Sequence, residues 1–322
     1  MKGLGHTSQT QRGSLRGTAH ASLGTRRSLA WLVLPCLFFS LACGDRRRAV
    51  EANNRGYVLL SQKRFAEAIS AFDQAVGADA SLAEAHLGLG RAYDETQQFD
   101  KAEQSLRKYT TLRPGDGDGH YYLGLVLVGK KQDAEAMKSF RTAAEATPTT
   151  PRTHLAYYRL GRVQNRLGQV NDAAEAFRQS IRKRPSFLRA YEELASTYAD
   201  SGDLASAEQA LRNAIATKLP DPHVHSSLGL IYSRMADRIR DESARNLTLE
   251  RAATEFVAAT VIKPSYARAY WNLGMTLAKV MKDQKPAKRK DAMRYLQLFL
   301  ARHGKDDELT TQANDMIQHL SE

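Results

Sequence analysis

Small residues recur along this chain between stretches of polar sequence, with a period close to 34 positions. Seven of them mark the series: Gly56, Gly90, Gly124, Gly161, Ala195, Gly229 and Gly274. The intervals between them are 34, 34, 37, 34, 34 and 45 residues. A repeat of this length is typical of stacked helical hairpins, in which one unit alone cannot bury its apolar face. The pattern therefore predicts a helical solenoid.

A second phase of the pattern places an alanine and a large apolar residue four positions apart. The alanines are Ala68, Ala102, Ala136, Ala173, Ala207, Ala252 and Ala292. The large residues that follow them are Phe72, Leu106, Phe140, Phe177, Leu211, Phe256 and Leu296. Residues four apart share one face of a helix, so each unit is predicted to contain a second amphipathic helix. Most units end in a proline that stops this helix, at Pro114, Pro148, Pro185, Pro220 and Pro264.

These phases together resemble the tetratricopeptide repeat. Its pattern of Leu-Gly, Tyr, Ala, Phe, Ala and Pro is matched by Leu89-Gly90, Tyr93, Ala102 and Pro114, and by Leu123-Gly124, Ala136, Phe140, Ala143 and Pro148. The resemblance implies an all-α, right-handed superhelix, or α-solenoid, of about seven helical hairpins. The units are placed at 49–82, 83–116, 117–150, 154–187, 188–221, 222–266 and 267–304, followed by a capping helix at 305–322. The sixth unit is about eleven residues longer than the period, and both of its helices are predicted to lengthen.

The N-terminal region predicts export and a lipid anchor. Residues 1–42 carry five basic residues and no acidic one, and the uncharged stretch 29–42 is too short to span a bilayer as a helix. It is therefore interpreted as a signal peptide. The sequence Ser40-Leu41-Ala42-Cys43 resembles the lipobox of bacterial lipoproteins, which implies cleavage before Cys43 and lipidation of that cysteine. An ordinary signal peptide, an uncleaved anchor and a twin-arginine signal are the alternatives.

Charge and motifs narrow the class of function. The chain has a net charge of +12, but five of its 47 basic residues lie in 1–42, which leaves +7 for residues 43–322. Arg46, Arg47 and Arg48 make residues 43–48 a basic tether. No nucleic-acid-binding motif accompanies this charge, and no nucleic-acid partner is expected. The sequence also lacks the Gly-x-Ser-x-Gly, His-Glu-x-x-His and P-loop motifs. We therefore expect a protein that is not an enzyme and holds no cofactor or metal.

The resemblance implies that the first helix of each hairpin lines a concave surface that binds partners. The family's ligand-contacting positions fall here on Tyr121, Tyr122, Tyr158, Arg159, Arg162, Asn165, Arg166, Arg268 and Trp271. Three arginines and a tyrosine on one helical face can bind a carboxylate, a phosphate or an acidic strip through forked hydrogen bonds. Alternatively, the three arginines pair with Glu192 and Glu193 on the adjacent helix and form an internal charge lattice.

The sequence thus predicts a protein-interaction scaffold on the bacterial cell envelope, anchored by lipid and facing the periplasm, with the outer membrane favoured. Its expected role is to assist assembly of an outer-membrane, secretion or pilus-type complex by holding envelope proteins or peptide segments in its groove. A scaffold that guides an anionic polysaccharide during export is the alternative, and acidic glycan would then be its partner. The repeat part of a glycosyltransferase-like enzyme is a third class.

Overall fold

The computed structural model describes residues 30–280 and 286–322, with side chains described from residue 43 onward except at 281–286. Residues 1–29, which hold most of the predicted signal peptide, lie outside the described residues. The described chain is helical with no strand. Within this part of the chain, no helix is both long enough and apolar enough to cross a membrane.

Fourteen of the helices in the described residues form seven consecutive hairpins. In chain order they are α1 Ala30–Ser61, α2 Phe65–Ala78, α3 Ala83–Glu95, α4 Phe99–Leu112, α5 Gly117–Gly129, α6 Asp133–Glu145, α7 Thr153–Arg166, α8 Val170–Lys183, α9 Leu188–Asp200, α10 Leu204–Ala216, α11 Pro222–Ala236, α12 Glu242–Ile262, α13 Ala267–Val280 and α14 Pro286–His303. A fifteenth helix, α15 Glu308–Ser321, follows them. The predicted all-α tetratricopeptide superhelix is confirmed.

The two helices of a hairpin pack closely because a small residue on the first helix faces a large one on the second. A Cβ atom added to Gly124 would lie 2.6 Å from the ring of Phe140, and one added to Gly161 would lie 2.8 Å from the ring of Phe177. Both phenylalanines are fully buried. An added methyl group has no room there, which explains why glycine and phenylalanine recur at this fixed spacing in the sequence.

The turn inside each of the first five hairpins has one repeated backbone geometry. One residue of the turn has a left-handed φ, between 59° and 89°, at Lys63, Gln97, Lys131, Gly168 and Gly202. The next residue donates its backbone N–H to a carbonyl five positions earlier, as from Gln132 to Leu127 at 2.9 Å. This is the Schellman arrangement, which satisfies carbonyls at a helix C-terminus. Glycine occupies the left-handed position in only the fourth and fifth hairpins.

The sixth hairpin takes up its extra residues unevenly. The first helix, α11, has 15 residues, whereas α12 has 21, compared with 13 or 14 in the second helices of the preceding hairpins. Both helices were expected to lengthen, and most of the added length lies in α12. Its added N-terminal turns begin at Asp241, whose side chain accepts from the backbone N–H of Ala244.

The hairpins stack so that extensive contacts join consecutive helices and neighbouring first helices. The first helices α1, α3 and α5 lie side by side in this way, as do α7, α9, α11 and α13. The last hairpin is covered by α15, which buries Ala313 and Leu320 in a cluster with Leu296 and Phe299. The first helices thus form two runs of neighbours, α1–α3–α5 and α7–α9–α11–α13, and α15 closes the C-terminal end of the core.

Candidate functional site: the concave groove

Two adjoining cavities open on the surface of the first helices where α7, α9 and α11 meet. The first has a volume of about 420 Å³ and is lined by Tyr158, Arg189, Glu192, Glu193, Ser196 and Ser227. The second, of about 490 Å³, shares Glu192, Ser196 and Ser227 and continues along α11 past Leu230 and Arg234. We call the two cavities together the central pocket. Its lining comes mainly from phases of the repeat that the family uses for ligand contact.

Glu192 is the charged group at the junction of the two cavities. Its side chain is partly buried, and no described cation lies within ion-pair distance of its carboxylate. Its pKa is raised from an ordinary value of 4.5 to about 7, mainly by burial and then by the carboxylates of Asp221 and Glu193, against the opposing effect of Arg189. The pocket thus contains a carboxylate whose charge is poorly compensated by the protein itself.

Glu193, the next residue, is instead held by α7. The hydroxyl of Tyr158 donates to its carboxylate at 3.1 Å, and the Nε atom of Arg162 lies 3.5 Å from the same oxygen. The guanidinium carbons of Arg159 and Arg162 lie 6.0 and 5.9 Å from the centre of the Tyr158 ring. Both glutamates of α9 line the first cavity, but Glu193 is paired within the protein, whereas Glu192 has no ion pair among the described residues.

The three predicted arginines of α7 do not form one free cationic face. Arg162 pairs with Glu193 on α9, and Arg166 pairs with Asp133 on α6 of the preceding hairpin. Arg159 is left beside the Tyr158 ring, with no ion pair among the described residues. Asn165, also predicted for this surface, donates to the hydroxyl of Thr197 at 3.1 Å. Most of this cluster therefore links neighbouring helices.

The predicted aromatic residues are divided between the core and the groove. Tyr121 and Trp271 expose only 7% of their surface each, because they pack against Phe140 and Phe299. Their rings support the groove wall from beneath. Tyr122 is more accessible, and Arg268 is exposed without an ion pair among the described residues.

In the N-terminal half of the groove, tyrosines and arginines alternate across successive hairpins. The guanidinium of Arg91 lies 6.0 Å from the ring centre of Tyr57 and 5.0 Å from that of Tyr122. The guanidinium of Arg152 lies 5.2 Å from the ring centre of Tyr122. Burial raises the pKa of Tyr57 to about 12, so its hydroxyl remains protonated and donates to the carbonyl of Glu84 at 2.9 Å. We call Tyr57, Arg91, Tyr122 and Arg152 the tyrosine–arginine ladder.

Several residues of this surface were not among those predicted from the sequence. Tyr57, Ser196 and Leu230 all occupy the ninth position of their repeat units, the same phase as Arg91 and Arg162. The phase of the repeat is thus the signal that places them on the groove. Arg152 precedes its helix and carries no such signal.

Cys43, the predicted lipidation site, is exposed and lies within α1. The same helix continues through the basic tether at 43–48, so these residues are helical in the structure. Arg47 and Arg48 in this segment make exposed ion pairs with Glu51 and Asp45.

Among the residues that the structure describes, no group of three histidine, cysteine, aspartate or glutamate side chains is arranged to hold a metal ion.

Comparisons with known proteins agree with this architecture. Two family models, both described as tetratricopeptide repeat, match residues 59–118 and 154–222. A crystal structure of the C-terminal part of a TPR repeat-containing protein from Cytophaga hutchinsonii covers 82% of this chain and 99% of its own, with 15% identity and a TM-score of 0.65. The structure of PilW, a type IV pilus biogenesis factor, covers 71% of this chain and 98% of its own at 19% identity and a TM-score of 0.54.

Pseudomonas aeruginosa pilF has a structure that covers 73% of this chain and 99% of its own, with 17% identity and a TM-score of 0.55. Among curated proteins, the mitochondrial import receptor subunit TOM70 of Rattus norvegicus is 27% identical over 135 residues, which are 42% of this chain and 21% of that protein. The protein O-mannosyl-transferase TMTC3 of Mus musculus is 23% identical over 218 residues, or 68% of this chain and 21% of that protein.

The chain therefore spans about a fifth of the length of these curated relatives. The recurring glycine and phenylalanine contacts, the seven hairpins and the two family matches lead to one assignment. This chain is a tetratricopeptide repeat protein.

Proposed function

We propose that this protein is a non-catalytic scaffold that holds a segment of another envelope protein in its concave groove. The observation that carries the proposal is the central pocket, which combines a poorly compensated carboxylate, two serine hydroxyls and the exposed side chain of Leu230. A peptide segment supplies the backbone and side-chain groups that match such a mixed surface.

Location on the bacterial envelope is part of the proposal and is supported by the N-terminal sequence. The basic, acid-free segment followed by an apolar stretch and Cys43 fits an exported protein held on a membrane by acyl chains. We further propose that the scaffold assists assembly of an outer-membrane, secretion or pilus-type complex. The shared fold with PilW and pilF supports only the architecture that this role requires.

Guidance of an anionic polysaccharide has less support from the groove. Arg162 and Arg166 are neutralised by Glu193 and Asp133, and the central pocket presents the carboxylate of Glu192. The carboxylate of Glu192, in the middle of the groove, would repel an anionic polymer bound along this surface. A protein segment can place a cation there, which a polyanion cannot.

The test is in-cell crosslinking followed by affinity capture of the full protein. Ser196 is exposed and lines both cavities, so Ser196→Trp should fill the pocket without removing an ion pair. Ser243→Trp is the matched control, because Ser243 is exposed on α12 and lines neither cavity. We expect the wild type and the control to capture the same envelope proteins and Ser196→Trp to lose them. Capture of the same set by all three proteins would remove the groove from the proposal.

A further inference from the structure

Glu192 and Glu193 are adjacent on α9 but differ in their partners. Glu193 is engaged by Tyr158 and Arg162, whereas the carboxylate of Glu192 faces the central pocket without a described cation within ion-pair distance. Asp237, which lines the second cavity, does have such a partner, since Lys279 lies 3.1 Å from its carboxylate. The pocket therefore combines an open cavity with a carboxylate that has no ion pair among the described residues.

On the basis of the proposed function, we infer that the central pocket receives a lysine or arginine side chain of the partner segment, which pairs with Glu192. An apolar residue next to it in the segment packs on Leu230. The occupant is thus a protein segment with a basic residue beside an apolar one. Charge complementarity and the arrangement of the two cavities carry this inference.

The first cavity fits the cationic part of this segment. Its volume of about 420 Å³ accommodates a long basic side chain, and the hydroxyls of Ser196 and Ser227 lie in its lining as acceptors for further N–H groups. Arg189 also lines this cavity, but it is exposed and makes no ion pair with Glu192 in the structure. A bound cation would gain a desolvated carboxylate as partner, which strengthens the pair relative to one on the open surface.

The second cavity fits the apolar part. Leu230 is 46% exposed, and Ile231, Ala195 and Ala199 beside it form an apolar floor. The far end is bounded by Arg234 and by Lys279, which pair with Asp200 and Asp237 respectively. Those two cations already have acidic partners, and neither forms an ion pair with Glu192.

Pairing of a bound cation with Glu192 should also make the affinity for the segment depend on pH. The charges that act on Glu192 are those of Arg189 and Glu193 on α9 and of Asp221 at the start of α11. Tyr158 lines the first cavity with Glu192, and Arg234, Asp237 and Lys279 line the second. Since the pKa of Glu192 is raised to about 7, a bound cation should lower it and release a proton near neutral pH. Binding should therefore weaken as the pH falls from 8 to 6.

The experiment begins with a phage-displayed library of random 12-residue peptides panned against the full chain in detergent. We expect enriched peptides to carry lysine or arginine next to leucine, isoleucine, valine, methionine or phenylalanine. A synthetic peptide of the enriched sequence is then titrated against the wild type and Glu192→Gln, and the same peptide with its basic residue replaced by glutamine is titrated against the wild type. Each replacement should weaken binding about tenfold or more.

Glu145→Gln is the matched control, because Glu145 is exposed at the end of α6 and lines neither cavity. This variant should bind the peptide as the wild type does. Enriched peptides that lack a basic residue, or equal affinity of the wild type and Glu192→Gln, would overturn the inference and leave groove binding intact. Failure to enrich any peptide would overturn both the inference and the proposed function.

Discussion

Replacing Glu192 by glutamine should stabilise the unliganded protein at pH 8 and leave its stability nearly unchanged at pH 5. The pKa of Glu192 is raised from 4.5 to about 7 in the folded protein, mainly because the carboxyl is partly buried. A raised carboxyl pKa means that the folded state favours the protonated form. The contribution of this group to stability is complete below pH 4.5 and is lost as the pH rises to about 7. Glutamine resembles the protonated form at every pH.

The magnitude follows from the size of the shift. A change from 4.5 to about 7 corresponds to roughly 3 kcal/mol if each pKa unit contributes about 1.4 kcal/mol. The carboxylate keeps contact with solvent in the open pocket, which screens its interactions with neighbouring charges. We therefore expect Glu192→Gln to gain about 1 to 2 kcal/mol over the wild type at pH 8.

Urea unfolding followed by circular dichroism at pH 5, 6, 7 and 8 measures this difference. Long repeat arrays can unfold in more than one step, so hydrogen exchange of the α9 amides should be measured beside the urea transition. Glu145→Gln removes an equal charge from an exposed position and should show no comparable dependence on pH. A Glu192→Gln variant that is less stable than the wild type at pH 8, or that has the same effect at pH 5 and 8, would contradict a raised pKa of Glu192 in the folded protein.

Three further outcomes are expected. Gly161→Ala should destabilise the protein by about 1 to 3 kcal/mol, because the new Cβ would lie 2.8 Å from the ring of Phe177. Urea unfolding of Gly161→Ala, Phe177→Leu and the double variant should show favourable coupling between the two substitutions, and additive effects would contradict the contact. Lys131→Gly should stabilise by about 0.5 to 1 kcal/mol, since Lys131 has φ of 60°, and a lower urea midpoint would argue against strain in the turn. Cys43→Ser should move the protein from the membrane to the soluble fraction, whereas membrane association that survives a carbonate wash would exclude the lipid anchor.

The fold could be predicted from the sequence because the determining contacts recur at fixed spacing. Each small residue of the first helix and each large residue of the second, such as Gly124 and Phe140, mark the same packing contact. The fifth hairpin shows the rule in a different form, with Ala195 on the first helix and a fully buried Leu211 on the second. Close packing requires these pairs, so their periodic spacing in the sequence predicts the stacked hairpins.

The groove was harder to predict because its chemistry depends on which charges meet across hairpins. Repeat phase placed Arg166 on the concave side, but the pairing of Arg166 with Asp133 of the preceding hairpin depends on distances between helices. The same holds for Glu192 and Glu193, which are adjacent in sequence and differ in their partners. Periodicity therefore identified the surface without identifying its unpaired charge.

The tyrosine–arginine ladder has a mechanical consequence. Tyr57, Arg91, Tyr122 and Arg152 come from successive hairpins, with ring-to-guanidinium distances of 5.0 to 6.0 Å. Such contacts contribute about 0.5 to 1 kcal/mol each when exposed, and they resist changes in the spacing of the hairpins that they join. Ion pairs join first helices in the C-terminal part of the groove as well, such as Arg234 with Asp200 at 3.7 Å and Lys279 with Asp237 at 3.1 Å. In the N-terminal part, the ladder should therefore couple the pitch of the superhelix to side chains on the groove surface, so that a ligand that displaces them also alters the spacing of the hairpins.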